Sequence, residues 1–580
     1  MAPKRKDAKA KATPATAPPS TGYSPSQLDA KATAIAKPLA VWVRLAFRLF
    51  CLVSVGLYLW PQLFPKKEQE AQLQQEDLEL GGGYEPIELD AERRAAVLEA
   101  FKHSYGAYER DAFGFDDYHP ISHKGSNMSP KGPVGYFVVD SLDSLLIMGL
   151  NDEYKRARDW VKDLSFDIDD KFHNFEITIR VLGGLLSAFS LSEDPIFLEK
   201  AIDLADRLLP VFDTPSGLPM SFINLHKREG ILDQDNRNFV SVAEAGTLQL
   251  ELKYLSEISG NPIYWQKAEK VIDIIREQPN KDGLVPIFMS PDTGSFVMSE
   301  IRLGSRADSY YEYLSKMYLQ TNRTEAVYKE MHELAMGGIK QHLLKSSVIK
   351  NLMYTSELMP RRDRQTGQFA LEDIPKQDHL VCFLAASLML GVTDGTGPVP
   401  PDTSSFTDDQ QDDFFAGKAL LRTCVNTYVA TKTGLAPEIV NFHTDALHAK
   451  KDGREWFINS RARAAPNTPI DARNILRPET VESLFVAYRI TGDPVYRKWG
   501  WDIFQAFVKH CRLPEGGFAS IYDVDEVPVR HEDRMETFWI SETLKYLYLL
   551  FSEDTLVPLD KYVFNTEAHV LPIFTPTVKH

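Results

Sequence analysis

Seven stretches of this chain share one pattern, an acidic residue near the start followed by a run that is apolar on almost every face. They are DSLDSLLIMGL from Asp140, FEITIRVLGGLLSAF from Phe175, AEAGTLQLELKYL from Ala243, DSYYEYLSKMYL from Asp308, DHLVCFLAASLML from Asp378, PETVESLFVAYRI from Pro478 and SETLKYLYLLF from Ser541. A helix that is apolar all round belongs in an interior. Several of these runs end in one kind of turn and restart as an amphipathic helix, as in LSEDPIFLEKA from Leu191, ISGNPIYWQKA from Ile258 and ITGDPVYRKWG from Ile490. Gly or Asn past a helix end and Pro opening the next helix are the expected chemistry of such a turn. The repeat, at an irregular spacing of roughly 60–70 residues, predicts helical hairpins set around an axis. The fold class is therefore all-α, an (α/α)7 barrel with apolar helices inside and amphipathic ones outside. A plain α-solenoid has the same repeat, but it does not call for an acid at one end of each inner helix.

Two further features change the outline. After the last apolar run comes KYVFNTEAHVLPIF, too polar and aromatic for a fraying terminus, and it is predicted to insert into the barrel and plug one end. At the other terminus, LFCLVSVGLYLWPQLF from Leu49 to Phe64 carries no charge and is preceded by VWVRLAF. It is short for a membrane span, but Arg44 and Arg48 can snorkel, and the basic Pro- and Ala-rich tail before it suits the cytosolic side. A buried core helix is the alternative. The expected organisation is a disordered basic tail over residues 1–40, an uncleaved signal-anchor at 41–64, a polar stem ending in three glycines at 65–90, and a catalytic barrel at 91–580. Within the barrel, the Pro-, Ser- and Asp-rich run between Gly391 and Phe414 is predicted to be a surface loop, and residues 441–474 are predicted to be irregular.

Charge and composition narrow the partners. The 580 residues are 43% apolar and 11% aromatic, enough to bury a large core. Eleven Lys and Arg up to Lys67 stand against Asp7 and Asp29, so the rest of the chain carries −25 within a total of −16, which disfavours nucleic acid. Of four cysteines, Cys51 falls in the anchor, which leaves Cys382, Cys424 and Cys511 for at most one intramolecular disulfide in the barrel. Asn127 with Ser129, and Asn322 with Thr324, are glycosylation acceptors by pattern.

The acids supply the candidate chemistry. Glu176 and Arg180 are four apart and share a helix face, as do Asp308 and Glu312, and Glu479 and Glu482 are three apart. An acid near a helix N-terminus is favoured there by the dipole alone, by roughly 0.3–1 kcal/mol. These acids, however, keep aromatic and glycine company (Phe175, Tyr310, Tyr311, Gly183, Gly184) rather than lying on a solvated face. Glu438, after Pro437, adds a carboxylate from a loop expected between helices. Paired acids across a cleft suit glycoside hydrolysis, and acids with a hydroxyl and a carbonyl suit a hard cation such as calcium.

These motifs together resemble the class I α-1,2-mannosidases, glycoside hydrolase family 47. The resemblance runs from about Tyr105 to Ile573 and rests on VVDSLDSLLIMGL, FEITIRVLGGLLSAF, SRADSYYEYLSK, DHLVCFLAASL, TGLAPEI, LRPETVES, SETLKYLYLLF and VFNTEAH. It implies an (α/α)7 barrel, a calcium-dependent inverting hydrolase, and removal of terminal α-1,2-linked mannose from high-mannose N-glycans on glycoproteins. By position it implies Glu176 as the acid that protonates the leaving oxygen, Glu438 as the base for water, and Asp308 as the third essential carboxylate. Thr566 matches the calcium ligand, and Glu479, Glu482, Glu542 and Glu567 match carboxylates that orient waters around the ion and the sugar. Arg180, Glu244, Arg306, His379 and Phe538 match substrate-contacting positions, with Arg306 resembling the arginine of endoplasmic-reticulum members, which favours one glycan branch. Cys382 and Cys424 coincide with the family's disulfide, worth about 3–4 kcal/mol on the chain-entropy model, and Cys511 is left as a free, buried thiol. The expected setting is the endoplasmic-reticulum membrane, or alternatively the Golgi, as a single-pass type II protein with a monomeric lumenal barrel. The rival expectation is a mannose-binding factor in glycoprotein disposal.

Overall fold

The apolar runs form a ring of inner helices, and each is backed by an amphipathic partner. The computed structural model describes residues 84–578, apart from 363, 365, 366, 461, 462 and 465–467. The predicted tail and anchor, Cys51 and the stem up to residue 83 lie outside the described residues.

In chain order the helices are α1 (Ala91–Ala112), α2 (Tyr136–Ile147), α3 (Asn151–Asp163), α4 (Asn174–Ser192), α5 (Pro195–Leu208), α6 (Gln249–Ser259), α7 (Ile263–Glu277), α8 (Asp308–Gln320) and α9 (Ala326–His342). They continue as α10 (His379–Thr393), α11 (Asp408–Val429), α12 (Glu479–Thr491), α13 (Pro494–His510) and α14 (539–550). Helices α2, α4, α6, α8, α10, α12 and α14 pack each on the next, and α14 packs back on α2, so the ring closes. Their outer partners are α3, α5, α7, α9, α11 and α13, and the seventh partner is the first helix of the chain, α1, lying against α14.

The predicted turns take the predicted form. Asp194 and Asp493 cap α5 and α13 by accepting from Ile196 N and Val495 N, with Pro at the first helical position. Glu193, Gly260 and Gly492 take the left-handed conformation that ends the inner helices. The disulfide joins Cys382 of α10 to Cys424 of its outer partner α11, and Cys511 is free and buried.

Four expectations shift. The acidic run DDQQDD opens α11, where a reciprocal capping box between Thr407 and Gln410 starts the helix, so the loop spans only 394–407. The stretch from Ala243 is broken into a short helix, Val242–Gly246, and α6, with Thr247 and Leu248 non-helical between them. Residues 441–474 contain a strand, Ile439–Phe442, paired with Trp456–Phe457, and a short helix, Ala446–Asp452. Residues expected in the stem also pack on the barrel before α1, since Glu85 N donates to Gly492 O and Asp90 caps α1 through Arg93 N.

Among the described residues, one helix, α4, is long and apolar enough to cross a membrane, but it is mostly buried inside the barrel. Of the two glycosylation acceptors, Asn322 is exposed in the turn after α8. Asn127 is half-buried and accepts from Asp116 N, with Ser129 buried against Asp170.

Candidate active site

The last residues build the floor of the site. Strands Tyr562–Phe564 and Val570–Pro572 pair antiparallel, and their tip, Asn565 to His569, is buried among inner helices except for half-buried Thr566. Asn565 Nδ2 donates to Ile179 O and Glu251 Oε1, both at 2.8 Å, and Asn565 Oδ1 accepts from Glu567 N at 2.9 Å and His569 N at 2.8 Å. The helix makes room for this. Ile177–Leu182 widens into a π-turn, a distortion common at functional sites, and the carbonyl of Ile179 within it accepts from the hairpin. Gly183 is obligatory, since a Cβ there would sit 2.6 Å from Asn565 Nδ2.

Below the tip, the His569 ring nitrogens lie 3.1 Å from Asp143 and 3.0 Å from Asp140, and Lys545 Nζ donates to Asp143 and to Ala568 O. Burial disfavours the imidazolium, but the two aspartates outweigh it and push His569 up to about 9. The tail is thus tied to α2, α4, α6 and α14 by buried polar bonds.

Above the floor opens a cleft of about 430 Å³ at the acid-tipped ends of the inner helices. It is lined by Glu176, Arg180, Glu244, Arg306, Asp308, Glu479, Phe538, Glu542, Thr566 and Glu567. Arg180 reaches from Glu176 Oε2 (2.8 Å) to Glu567 Oε2 (2.7 Å), joining the mouth to the floor. The Glu176 side chain is 37% exposed and that of Glu567 only 6%. Glu244 sits on the short helix 242–246, capped by Ser241, and accepts from Ser221 Oγ at 2.7 Å with His173 beside it. Arg306 holds φ +82, a costly conformation for an arginine, with its guanidinium 5.0 Å from the Phe288 ring centre.

Three of the expected residues are not on this lining. Glu438 lies behind Arg477, whose Nε donates to both its oxygens at 2.9 Å. His379 is buried beneath Glu479, with Nδ1 at 2.8 Å from its carboxylate and Nε2 at 2.9 Å from Tyr428 Oη, so it supports an acid rather than meeting the cleft. Glu482 faces a small cavity under the floor and pairs with Lys316, which also holds Glu312. Conversely, Arg477 was not anticipated. It lines the cleft, its guanidinium lies 5.7 Å from the Phe538 ring, and that of Arg180 lies 5.9 Å from the same ring. Its place directly before the Pro478–Glu479 helix start was the available sign.

The carboxyl groups are driven apart in acidity. Burial pushes Asp308 up to about 7, aided by the neighbouring charges of Glu312, Glu479 and Asp378. Glu542 rises well above the usual carboxylate range through burial and the repulsion of Glu567, Glu479 and Glu482. Glu479 goes the other way, because its bond from His379 and the charge of Arg477 overcome burial. For Asp308 the consequence for stability has a definite sign. A group that keeps its proton to about pH 7 folded, but loses it near 4 unfolded, costs stability increasingly across that window and in full above it. Asp308→Asn is therefore expected to stabilise the protein by on the order of a few kcal/mol at pH 8 and by almost nothing at pH 4, while lowering activity. Thermal midpoints at the two pH values check this, and an equal shift at both would refute it.

Among the described residues, no three His, Cys, Asp or Glu side chains converge closely enough to hold a metal directly. The donor chemistry does fit a hard cation bound largely through water. The Thr566 hydroxyl and carbonyl would be the direct oxygen donors, and buried Glu479, Glu542 and Glu567 line the same cleft.

The chain matches Glycosyl hydrolase family 47 over residues 100–573. It belongs to that family. It is 44% identical to the mannosyl-oligosaccharide 1,2-alpha-mannosidase of Candida albicans over 83% of each chain. It is 43% identical to the endoplasmic reticulum mannosyl-oligosaccharide 1,2-alpha-mannosidase of Schizosaccharomyces pombe, over 84% of this chain and 91% of that one. Among solved structures, the alpha-1,2-mannosidase from Trichoderma reesei superposes with a TM-score of 0.73 at 30% identity, covering 84% of this chain and all of that one. Family 47 membership fits the helical-hairpin barrel described above.

Proposed function

We propose that this protein is a mannosyl-oligosaccharide 1,2-α-mannosidase that removes terminal α-1,2-linked mannose from high-mannose N-glycans during glycoprotein maturation and quality control. The observation that carries the reading is the cleft, lined together by Glu176, Asp308, Thr566 and Glu567, with Glu438 held directly behind the lining residue Arg477. A calcium ion held by the Thr566 hydroxyl and carbonyl would supply positive charge to sugar hydroxyls, and Glu479, Glu542 and Glu567 would orient its waters.

The chain's own residues divide the proton work. Glu176, fixed by Arg180, stands where a leaving oxygen can be protonated, directly or through a water. Asp308, which holds its own proton to about pH 7, is the second candidate donor. Glu438, kept in place by Arg477, takes the proton from the attacking water, and attack from the far side of the ring gives inversion. Arg306, strained and open to the cleft, is the group that selects the glycan branch.

The setting we propose is the endoplasmic-reticulum lumen, with the 41–64 segment as a type II anchor and the Golgi as the alternative. The relatives' compartment and the Cys382–Cys424 bridge, which needs an oxidising environment, support it.

Incubation with a high-mannose glycan, followed by NMR of the released sugar at early times, tests the mechanism, and β-mannose is expected. An α-anomer would overturn inversion, and glycan binding without release would favour the binding factor. Removal of calcium by a chelator is expected to stop hydrolysis and lower the thermal midpoint together, both restored on adding calcium back, because a ligand bound only to the folded state stabilises it. Indifference of both to the chelator would remove the metal from the mechanism.

A further inference from the structure

Glu251 is an acid that neither the cleft nor the proton work uses. It lies in the first turn of α6, fully buried, between the ring wall and the tip of the closing hairpin. Its Oε1 accepts from two donors at 2.8 Å, Tyr313 Oη of α8 and Asn565 Nδ2, while its Oε2 has no hydrogen-bond partner. A buried carboxyl oxygen left unpaired is costly, and one that persists calls for an explanation.

Its two partners hold the backbone on either side of Thr566. Tyr313 Oη accepts from Thr566 N at 3.4 Å, and Asn565 Oδ1 accepts from Glu567 N at 2.9 Å. The second bond orients the Thr566–Glu567 peptide. In a trans peptide the carbonyl of the first residue points opposite to the N–H of the second, so anchoring Glu567 N on Asn565 turns the Thr566 carbonyl away from the buried network. We infer that Glu251, through Tyr313 and Asn565, is the positioning residue that holds the Thr566 carbonyl and hydroxyl at the cleft floor and thereby sets the affinity of that floor for a calcium ion. The inference rests on the calcium reading above. It adds a specific second rank of residues on α6 and α8, 253 or more positions away from Thr566 in the chain.

The frame has a physical logic. Thr566 sits at the tip of a hairpin, where backbone freedom is greatest, and a bond from one helix alone would leave it free to pivot. A single carboxyl oxygen that takes a hydroxyl from α8 and an amide from the hairpin fixes both sides of the tip at once. A neighbour that orients a metal ligand typically changes metal affinity by about 10–100-fold when removed.

The test is calcium titration by calorimetry of the full chain in detergent, first stripped with a chelator, alongside unfolding midpoints measured without calcium. Tyr313→Phe deletes one oxygen and leaves the Asn565–Glu251 bond in place, and it is expected to weaken calcium about tenfold with little change in the metal-free midpoint. Glu251→Ala is expected to weaken calcium by about 10–100-fold. Glu251→Gln keeps an acceptor oxygen at that position and is expected to restore most of the affinity. Calcium affinity equal to wild type in Tyr313→Phe and Glu251→Ala, whatever happens to their midpoints, would overturn the inference while leaving the calcium reading intact. If Glu251→Ala does not fold, Tyr313→Phe decides alone. Absence of calcium binding in the wild type would overturn both.

Discussion

Glu438→Gln is expected to lower kcat for mannose release by about 10²–10⁴-fold, the usual contribution of a positioned acid–base group, with glycan affinity changed little. The substitution is nearly isosteric, and the amide oxygen still accepts from Arg477 Nε, which bonds both carboxylate oxygens at 2.9 Å in the native protein. Arg477 therefore stays beside Phe538, and the cleft keeps its shape. What is lost is the ability to take a proton from water. Steady-state kinetics with glycan binding measured separately would check this. Turnover within about tenfold of wild type would remove Glu438 from the base role, and a parallel loss of glycan binding would mean that the substitution disturbed the cleft itself.

Asn565→Ala is expected to cause the largest loss of stability of any single change at the site, on the order of 3–5 kcal/mol. Its amide makes four hydrogen bonds of 2.8–2.9 Å, all inside the barrel, to Ile179 O, Glu251, Glu567 N and His569 N. Each is worth about 1 kcal/mol net, but truncation strands their partners, and a buried group without a partner costs about 1–3 kcal/mol. Against a total of about 5–15 kcal/mol for a folded domain, that is a large share. The same change frees the Thr566–Glu567 peptide, so activity is expected to fall even where the protein remains folded. A urea midpoint lowered at unchanged m-value, together with reduced calcium affinity, is the expected result. A midpoint equal to wild type would mean that the closing hairpin is held by its apolar strands alone.

Much of this molecule was legible in one dimension because its rules are local. A helix apolar on every face announces burial wherever it lies. Repeated seven times, and followed three times by an Asp-Pro or Asn-Pro turn, it announces hairpins around an axis, and the inner ring closes as that pattern implies. The positions of Glu176, Asp308, Glu479 and Glu542 at the acid-tipped ends of inner helices followed from the same pattern, and all four line the cleft. Where the reading slipped, a competing local rule had won. The Asp- and Gln-rich run after Thr407 looks like loop by composition, but acids are favoured in a first turn and the capping box starts α11 there. The apolar run from Ala243 has no break by composition, whereas the break at Thr247 and Leu248 gives Glu244 its own short capped helix at the cleft wall.

The class of the fold and the inventory of acids can be read along the chain, since both depend on residue type and on periods of three or four positions along a helix. What each acid meets emerges only in the folded chain, because its partners come from far along the sequence and leave no trace at short spacing. Glu438 and Arg477, His379 and Glu479, Lys316 and Glu482, and Glu251 and Asn565 are separated by between 39 and 314 residues. The burial and charge around each pair, rather than its place in the sequence, separate the carboxyls that face the cleft from those that hold its walls. The same holds for the closing hairpin, whose polar tip has a purpose only once seven helices surround it.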